Sequence, residues 1–186
     1  MINELSYAYH LLYPSITILV SCVDQKGNPN LITVAWSTPL SFSPPLLGIS
    51  IGYKRYSYKL ISKTKEFVIC VPTIELCEKV FGIGTVSGRD INKFEHFGLT
   101  PMKAKIVKPP LVKECIANIE CKVEKEIPVG DHAFFIGRVV AIHYDNKYYE
   151  PHKLTPILST IKPLLHVGGS TFCTIDEKSK VEAVKY

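Results

Sequence analysis

The sequence predicts a mainly β fold: a closed antiparallel barrel with short helices at its ends or sides. Three observations lead there. Apolar runs such as ITILVSCV, LLGISI and FVICV recur, each closed off by Gly, Pro, Asn or Asp clusters. One segment, IANIECKVEKEI, alternates apolar and charged residues, the period of a half-buried antiparallel strand. Helical patterns are few and short, so helices can only cap the ends or sides of the sheet. At 186 residues, 46% hydrophobic and 21% charged, one domain can bury a core without disulfide or metal staples.

Taken in order, ITILVSCV (16–23) reads as a strand, DQKGNPN as a turn and LITVAWS (31–37) as its hairpin partner. The prolines of SPP (43–45) break the chain before a third strand, LLGISI (46–51). YSYKLISKTKEF then has the spacing of a short amphipathic helix, with Ser57 at its N-cap and Leu60, Ile61 and Phe67 turned inward. FVICV (67–71) is a buried strand, and TIELCEKVFG a second helix capped by Thr73 and stopped by Gly82. GTVSGRDINKFEHFGLTP is polar and turn-rich, a loop with room for one short helix. In segment 116–127, Ile119, Cys121, Val123 and Ile127 share one face, while Glu120, Lys122, Glu124 and Glu126 form a wet one. HAFFIGRVVAIHYD (132–145) is the longest strand signal, and VGGSTF supplies a late glycine turn. Residues 1–175 are thus expected to form one domain, and 176–186, DEKSKVEAVKY, a solvated tail or arm.

Composition removes several classes of function. The net charge of +5 is scattered along the chain, and no nucleic-acid motif accompanies it, so nucleic acid is not expected as a partner. No apolar run reaches the roughly 18 residues of a membrane helix. MINELSYAYHLLYP has an early Glu4 and no basic region, so it is not expected to be a secretory signal, and a cytoplasmic location is expected. The six cysteines are dispersed without a CxxC pair and read as small buried hydrophobes. The six histidines show no zinc-ligand spacing, so no metal site is expected. GxGxxG, Walker, GxSxG and HExxH motifs are missing, as is any obvious acid–base pair. An enzyme of this composition would take its chemistry from a bound cofactor.

Four pieces carry candidate chemistry. In NPNLITVAWS, Ile32, Val34 and Trp36 share one face, and the small residues Thr33, Ala35 and Ser37 the other. A face that small can admit a planar ring or pack closely under a helix. In SIGYKRYSYK, a strand ends at Gly52, and Lys54, Arg55 and Ser57 lie at a helix start, where free N–H groups and the dipole favour an anion. The bland alternative is a solvated basic turn. SGRDINKF adds Arg89 and Lys93, and VGDHAFFIGRV places His132 at the mouth of a strand.

In this order, the pieces resemble the flavin reductase-like, FMN-binding split-barrel family, which includes the flavoredoxins. The matching stretches are YPSITILVSCVDQKGNPNLITVAWSTPLSFSPPLLGISI, YKRYSYKLI, EFVICVP, SGRDINKF and GDHAFFIGRV, which span roughly residues 13–145. The resemblance implies a Greek-key split barrel, FMN as cofactor, and a homodimer holding FMN near the subunit interface. By position it places Asn30, Thr33 and the backbone of Val34, Ala35, Trp36 and Ser37 along the isoalloxazine and ribityl chain. Ser50, Arg55 and Ser57 fall near the ribityl-phosphate end, with Ser57 where the family often has Thr. Lys93 and His132 approach the flavin and could tune it, and the segment around Leu165 could close over it. The expected function is an NAD(P)H-dependent flavin oxidoreductase passing electrons through FMN to an acceptor. Two alternatives stand beside it. One is a flavoredoxin-type carrier reduced by a redox-protein partner, without NAD(P)H activity of its own. The other is a non-enzymatic barrel that stacks single-stranded nucleic acid on Tyr53, Tyr56 and Tyr58 beside Lys54, Arg55 and Lys59.

Overall fold

Alternation in the first long strand already demands two cores. Ile18, Val20 and Cys22 point one way and Leu19 the other, and all four are buried. The computed structural model describes residues 4–181 and 183. Its first strands are β1 (Ser15–Ile16), β2 (Ile18–Val23), β3 (Pro29–Val34), β4 (Ser37–Ser41), β5 (Leu46–Gly52) and β6 (Glu66–Val71). Then follow β7 (Pro101–Met102), β8 (Leu111–Val112), β9 (Ala117–Val129), β10 (His132–Tyr144), β11 (Leu165–Gly168) and β12 (Thr171–Cys173). The α-helices are α1 (Tyr56–Thr64), α2 (Cys77–Thr85) and α3 (Lys93–His96). A 3-10 helix, Glu4–Leu12, precedes β1. Among the described residues no helix is long and apolar enough to cross a membrane.

Seven strands form one antiparallel sheet in the order β3-β2-β6-β9-β10-β5-β4. The sheet curls into a split barrel rather than closing by a ladder, because its edges β3 and β4 do not pair with each other. Instead the chain runs from one edge to the other through Ala35 and Trp36, and Ser50 N–H donates to Trp36 O at 2.9 Å. One core fills the barrel, built from Ile18, Val20, Ile49, Ile61, Phe67 and Phe135. A second lies outside β2, β3 and β6, where Leu19, Leu31 and Val68 meet α2, α3 and the 99–112 segment through Val80, Phe94 and Leu111. The inward residues Leu60, Ile61 and Phe67 are buried as the helical spacing implies.

Several local expectations need correction. The N-cap of α1 is Arg55, in extended conformation and without a side-chain cap; Ser57 lies inside the first turn and is buried. Thr73 makes no side-chain cap bond either, and begins a 3-10 turn, Ile74–Leu76. Gly82 does not stop α2, which runs on to Thr85. The reason is packing: a Cβ at Gly82 would collide with the Phe97 ring, so the glycine serves contact rather than termination. The 176–186 tail lies partly outside the described residues; its described part is exposed and holds a 3-10 turn, Glu177–Ser179.

The wet face of β9 also has an exception. Glu120 has no exposed surface. Its carboxylate accepts the N–H groups of Lys105, Ile106 and Val107 at 2.7, 2.7 and 3.0 Å and lies 2.6 Å from His143 Nε2. It thereby pins the irregular 105–107 segment onto the sheet. Burial alone would raise its pKa, but His143 and these N–H groups outweigh burial and hold the carboxyl below its ordinary value. A lowered carboxyl pKa stabilises the fold at neutral pH, and the contribution is lost as pH falls through it. Glu120→Gln should cost about 1–3 kcal/mol at neutral pH. In urea titrations the gap from wild type should narrow as pH drops below the usual carboxylate range.

Candidate functional site

An edge strand leaves one side of its backbone without a ladder partner, and β3 is such a strand. Three pockets follow one another along it, forming a trough. The first, of about 160 Å³, and the second, of about 210 Å³, share Ile32 and Arg55. The second and the third, of about 510 Å³, share Tyr9, Tyr13, Ala35, Trp36 and Ser50.

The first pocket is cationic. Lys54, Arg55, Arg89 and Lys93 line it, and among the described residues no carboxylate does. Its lining also includes the start of α1, where Tyr56 and Ser57 precede the first intrahelical hydrogen bonds, the Arg55 N–H being donated to Gly52 O at 3.0 Å. Arg89 stacks over the Tyr56 ring at 5.2 Å, tying the loop after α2 to α1. Beneath lie Asn30, Ser57 and Lys93, each under 5% exposed. Asn30 Nδ2 donates to Ser57 Oγ at 2.7 Å, while Asn30 Oδ1 is buried without a partner. A Cβ at Gly88 would collide with that oxygen, so only glycine lets the loop sit there. The Cys22 thiol lies behind; burial pushes it up to about 11 against opposing pulls from Asn30, Ser57 and Lys93.

Lys93 is the unusual charge of the site. It sits on α3, whose N-cap Asn92 accepts the Phe94 N–H, and its Nζ donates to Ile83 O at 2.7 Å. Desolvation, with Arg55 adding to it and Cys22 opposing it, lowers its pKa to about 8.

The second pocket is mixed. Ile32, Thr33, Val34, Ala35 and Trp36 line one side, with Ser50, Gly52 and His132 on another. His132 pairs with Gly52 across β5 and β10, and a Cβ there would come 3.5 Å from His132 Nε2. Asp131 Oδ1 lies 2.6 Å from His132 Nδ1, and the His132 and Trp36 rings lie 4.9 Å apart. The small-faced strand has a divided use. Thr33 donates its hydroxyl to Val80 O at 2.5 Å, so its side chain packs under α2, while Ala35 and Ser37 border the open trough.

Most of the expected site residues thus meet on one trough: Asn30, Arg55, Ser57 and Lys93 in its first part, Thr33, Val34, Ala35, Trp36, Ser50 and His132 in its second, and Ser37 in its third. Leu165 is not brought in. It pairs with Ile16 and Cys173, and its neighbour His166 lines the second pocket instead. Sequence reasoning also missed Tyr9, Tyr13 and the 84–86 segment. The tyrosines left one signal: an aromatic-rich segment in which the Glu4–Leu12 helix buries nothing.

Comparison with known proteins decides the family: residues 10–175 match the flavin reductase like domain. The chain belongs to that family. An uncharacterized protein of Archaeoglobus fulgidus is 45% identical over 148 residues, 80% of each chain. The FMN-binding protein of Thermus thermophilus superposes with a TM-score of 0.84 at 25% identity, covering 94% of both chains. The flavoredoxin of Desulfovibrio vulgaris (Miyazaki F) superposes with a TM-score of 0.80 at 26% identity, covering 89% of this chain and 88% of its own.

The trough of this flavin reductase-like chain fits the cofactor that the family implies. It offers cations without acids, the buried unpartnered Asn30 Oδ1, and an unladdered backbone edge. Lys93 marks the energetic cost of the site. Its lowered pKa means that the folded state carries a buried charge below about pH 8, a penalty relieved as pH rises toward 10.5. Lys93→Met should therefore raise stability in urea by about 1–3 kcal/mol at pH 7. The gain should shrink when the titration is repeated near pH 10.

Proposed function

We propose that the protein binds FMN along the β3 trough and acts as an NAD(P)H-dependent flavin oxidoreductase that passes electrons to an acceptor. The observation that carries this reading is the separation of charge: four cations without a carboxylate at one end, and aromatic walls without charge at the other. FMN has the same polarity, a phosphate on a flexible chain and a flat ring. Arg55 would hold the phosphate as a bidentate fork beside the free N–H groups of α1, with Lys54 and Arg89 adding charge. Asn30 and Ser57 would meet the ribityl hydroxyls, and the unladdered outer edge of β3 would face the polar edge of the ring. His132 and Trp36 would flank the ring and limit water. Bound FMN supplies the hydride and electron chemistry that these side chains lack.

A homodimer belongs to this proposal. Phe42 is fully exposed and Leu40 is 43% exposed, at and just beyond the outer edge strand β4, where a second copy would cover them. A second reading is an electron carrier reduced by a protein partner. It is favoured by the uncharged third pocket, which offers no cation to a dinucleotide pyrophosphate. The visible spectrum of the purified protein, followed anaerobically with NADH and then NADPH, separates the readings. Flavin bands bleached by either nucleotide support the reductase. Bleaching with dithionite alone supports the carrier, and a protein that neither carries nor takes up FMN refutes both.

Two substitutions test the residues. Arg55→Ala should weaken FMN binding by about 1.5–3 kcal/mol, roughly ten- to hundredfold in Kd by fluorescence titration. Lys93→Ala should make the flavin harder to reduce, because a cation nearby stabilises its anionic reduced form. A spectroelectrochemical midpoint equal to that of wild type would remove Lys93 from that role.

A further inference from the structure

The cationic first pocket is bounded on one side by a ring. Tyr56 lines it, and Tyr56 also lines a separate cavity of about 170 Å³. Among the described residues, no other belongs to both. The separate cavity is bordered by Lys59, Lys63 and Asp24. Tyr56, Lys59 and Lys63 stand at i, i+3 and i+7 of α1, so they share one face of the helix. The Asp24 carboxylate is occupied within its own turn: it accepts the N–H groups of Lys26 and Asn28 and the Asn28 side-chain amide, at 2.8, 2.9 and 2.7 Å. The ring between the two cavities is held in place. Tyr56 packs half-buried against the barrel core, and Arg89 stacks over its other side at 5.2 Å.

We propose that the Tyr56–Arg89 pair is a partition that sets the specificity of the site: it admits a ligand ending in a phosphate monoester and excludes one that continues through a diphosphate. Size is the first argument. At about 160 Å³ the first pocket is below the roughly 300 Å³ at which pockets begin to enclose a whole drug-sized ligand. A second phosphate and a nucleoside would have to leave it. The cations that could receive that second phosphate, Lys59 and Lys63, lie across the Tyr56 ring, which blocks the route to them. Charge is the second argument. Lys54, Arg55, Arg89 and Lys93 line one small pocket, which suits the charge of about −1.5 to −2 on a terminal phosphate at neutral pH. Each phosphate inside a diphosphate bridge carries less. Applied to flavins, the partition selects FMN over FAD. That application rests on the flavin reading above; the choice of monoester over diphosphate does not.

The test is calorimetric titration of the flavin-free full-length protein with FMN and with FAD. FMN should bind at least about tenfold tighter, the scale of one charge-assisted contact. Tyr56→Ala opens the route to Lys59 and Lys63, so it should cut that ratio at least about fivefold by tightening FAD. Tyr56→Leu keeps an apolar contact with the barrel core but offers Arg89 no ring, and should move the ratio the same way even if the alanine variant fails to fold. Lys59 and Lys63 are exposed, and adding Lys59→Glu with Lys63→Glu to either variant should remove the gain for FAD. Equal affinities in the wild type, a ratio unmoved by both Tyr56 substitutions, or a gain that survives the two charge reversals overturns the partition and leaves the flavin reading standing. D-ribitol 5-phosphate and CDP-ribitol repeat the comparison without a flavin ring. A chain that takes up neither flavin yet prefers ribitol 5-phosphate would keep the partition and refute the flavin reading. No preference between the two ribitol compounds overturns the partition.

Discussion

A hydrogen bond of 2.7 Å between two buried side chains, Asn30 and Ser57, joins the open edge of the sheet to the first turn of α1. The candidate site is organised around that bond. It brings a strand edge rich in unladdered backbone beside a helix start rich in unpaired N–H groups. It also leaves Asn30 Oδ1 without a partner, under a loop that only Gly88 allows so close. A buried polar atom left unpaired costs on the order of 1–3 kcal/mol. Such a cost is commonly carried at ligand sites, where the missing partner arrives with the ligand.

The same economy explains Lys93. A cation buried beside Arg55, with no carboxylate lining its pocket, is unfavourable in the isolated chain. An anion in the pocket reverses that sign, since its charge would stabilise the protonated amine. Stability is thus set aside at one end of the trough, while the two cores and the Glu120 anchor secure the barrel elsewhere.

Periodicity made the strands, the barrel class and the inward face of α1 legible, because alternation and 3.6-residue spacing are local properties. The motifs NPNLITVAWS, SIGYKRYSYK, SGRDINKF and GDHAFFIGRV likewise placed most trough residues before any coordinates. Errors fell where a residue type has two uses. Ser57 has the chemistry of an N-cap, and its true partner, Asn30, lies 27 positions away. Glu120 carries the charge of a wet face, but its partners come from the 105–107 segment and from β10. Thr33 looked available to a ligand, and its hydroxyl is taken by a carbonyl of α2.

By itself the sequence determined the main strands and helices, the mainly β class and the presence of a cationic helix start. These depend on composition and spacing within a few residues. Only the tertiary structure decided that the sheet stays split, since the chain crosses from β3 to β4 through Trp36 rather than pairing the two edges. It also decided which charges are buried, and that Tyr9, Tyr13 and His166 wall the trough. Those outcomes depend on desolvation and contact between distant segments, and neither is encoded in local pattern.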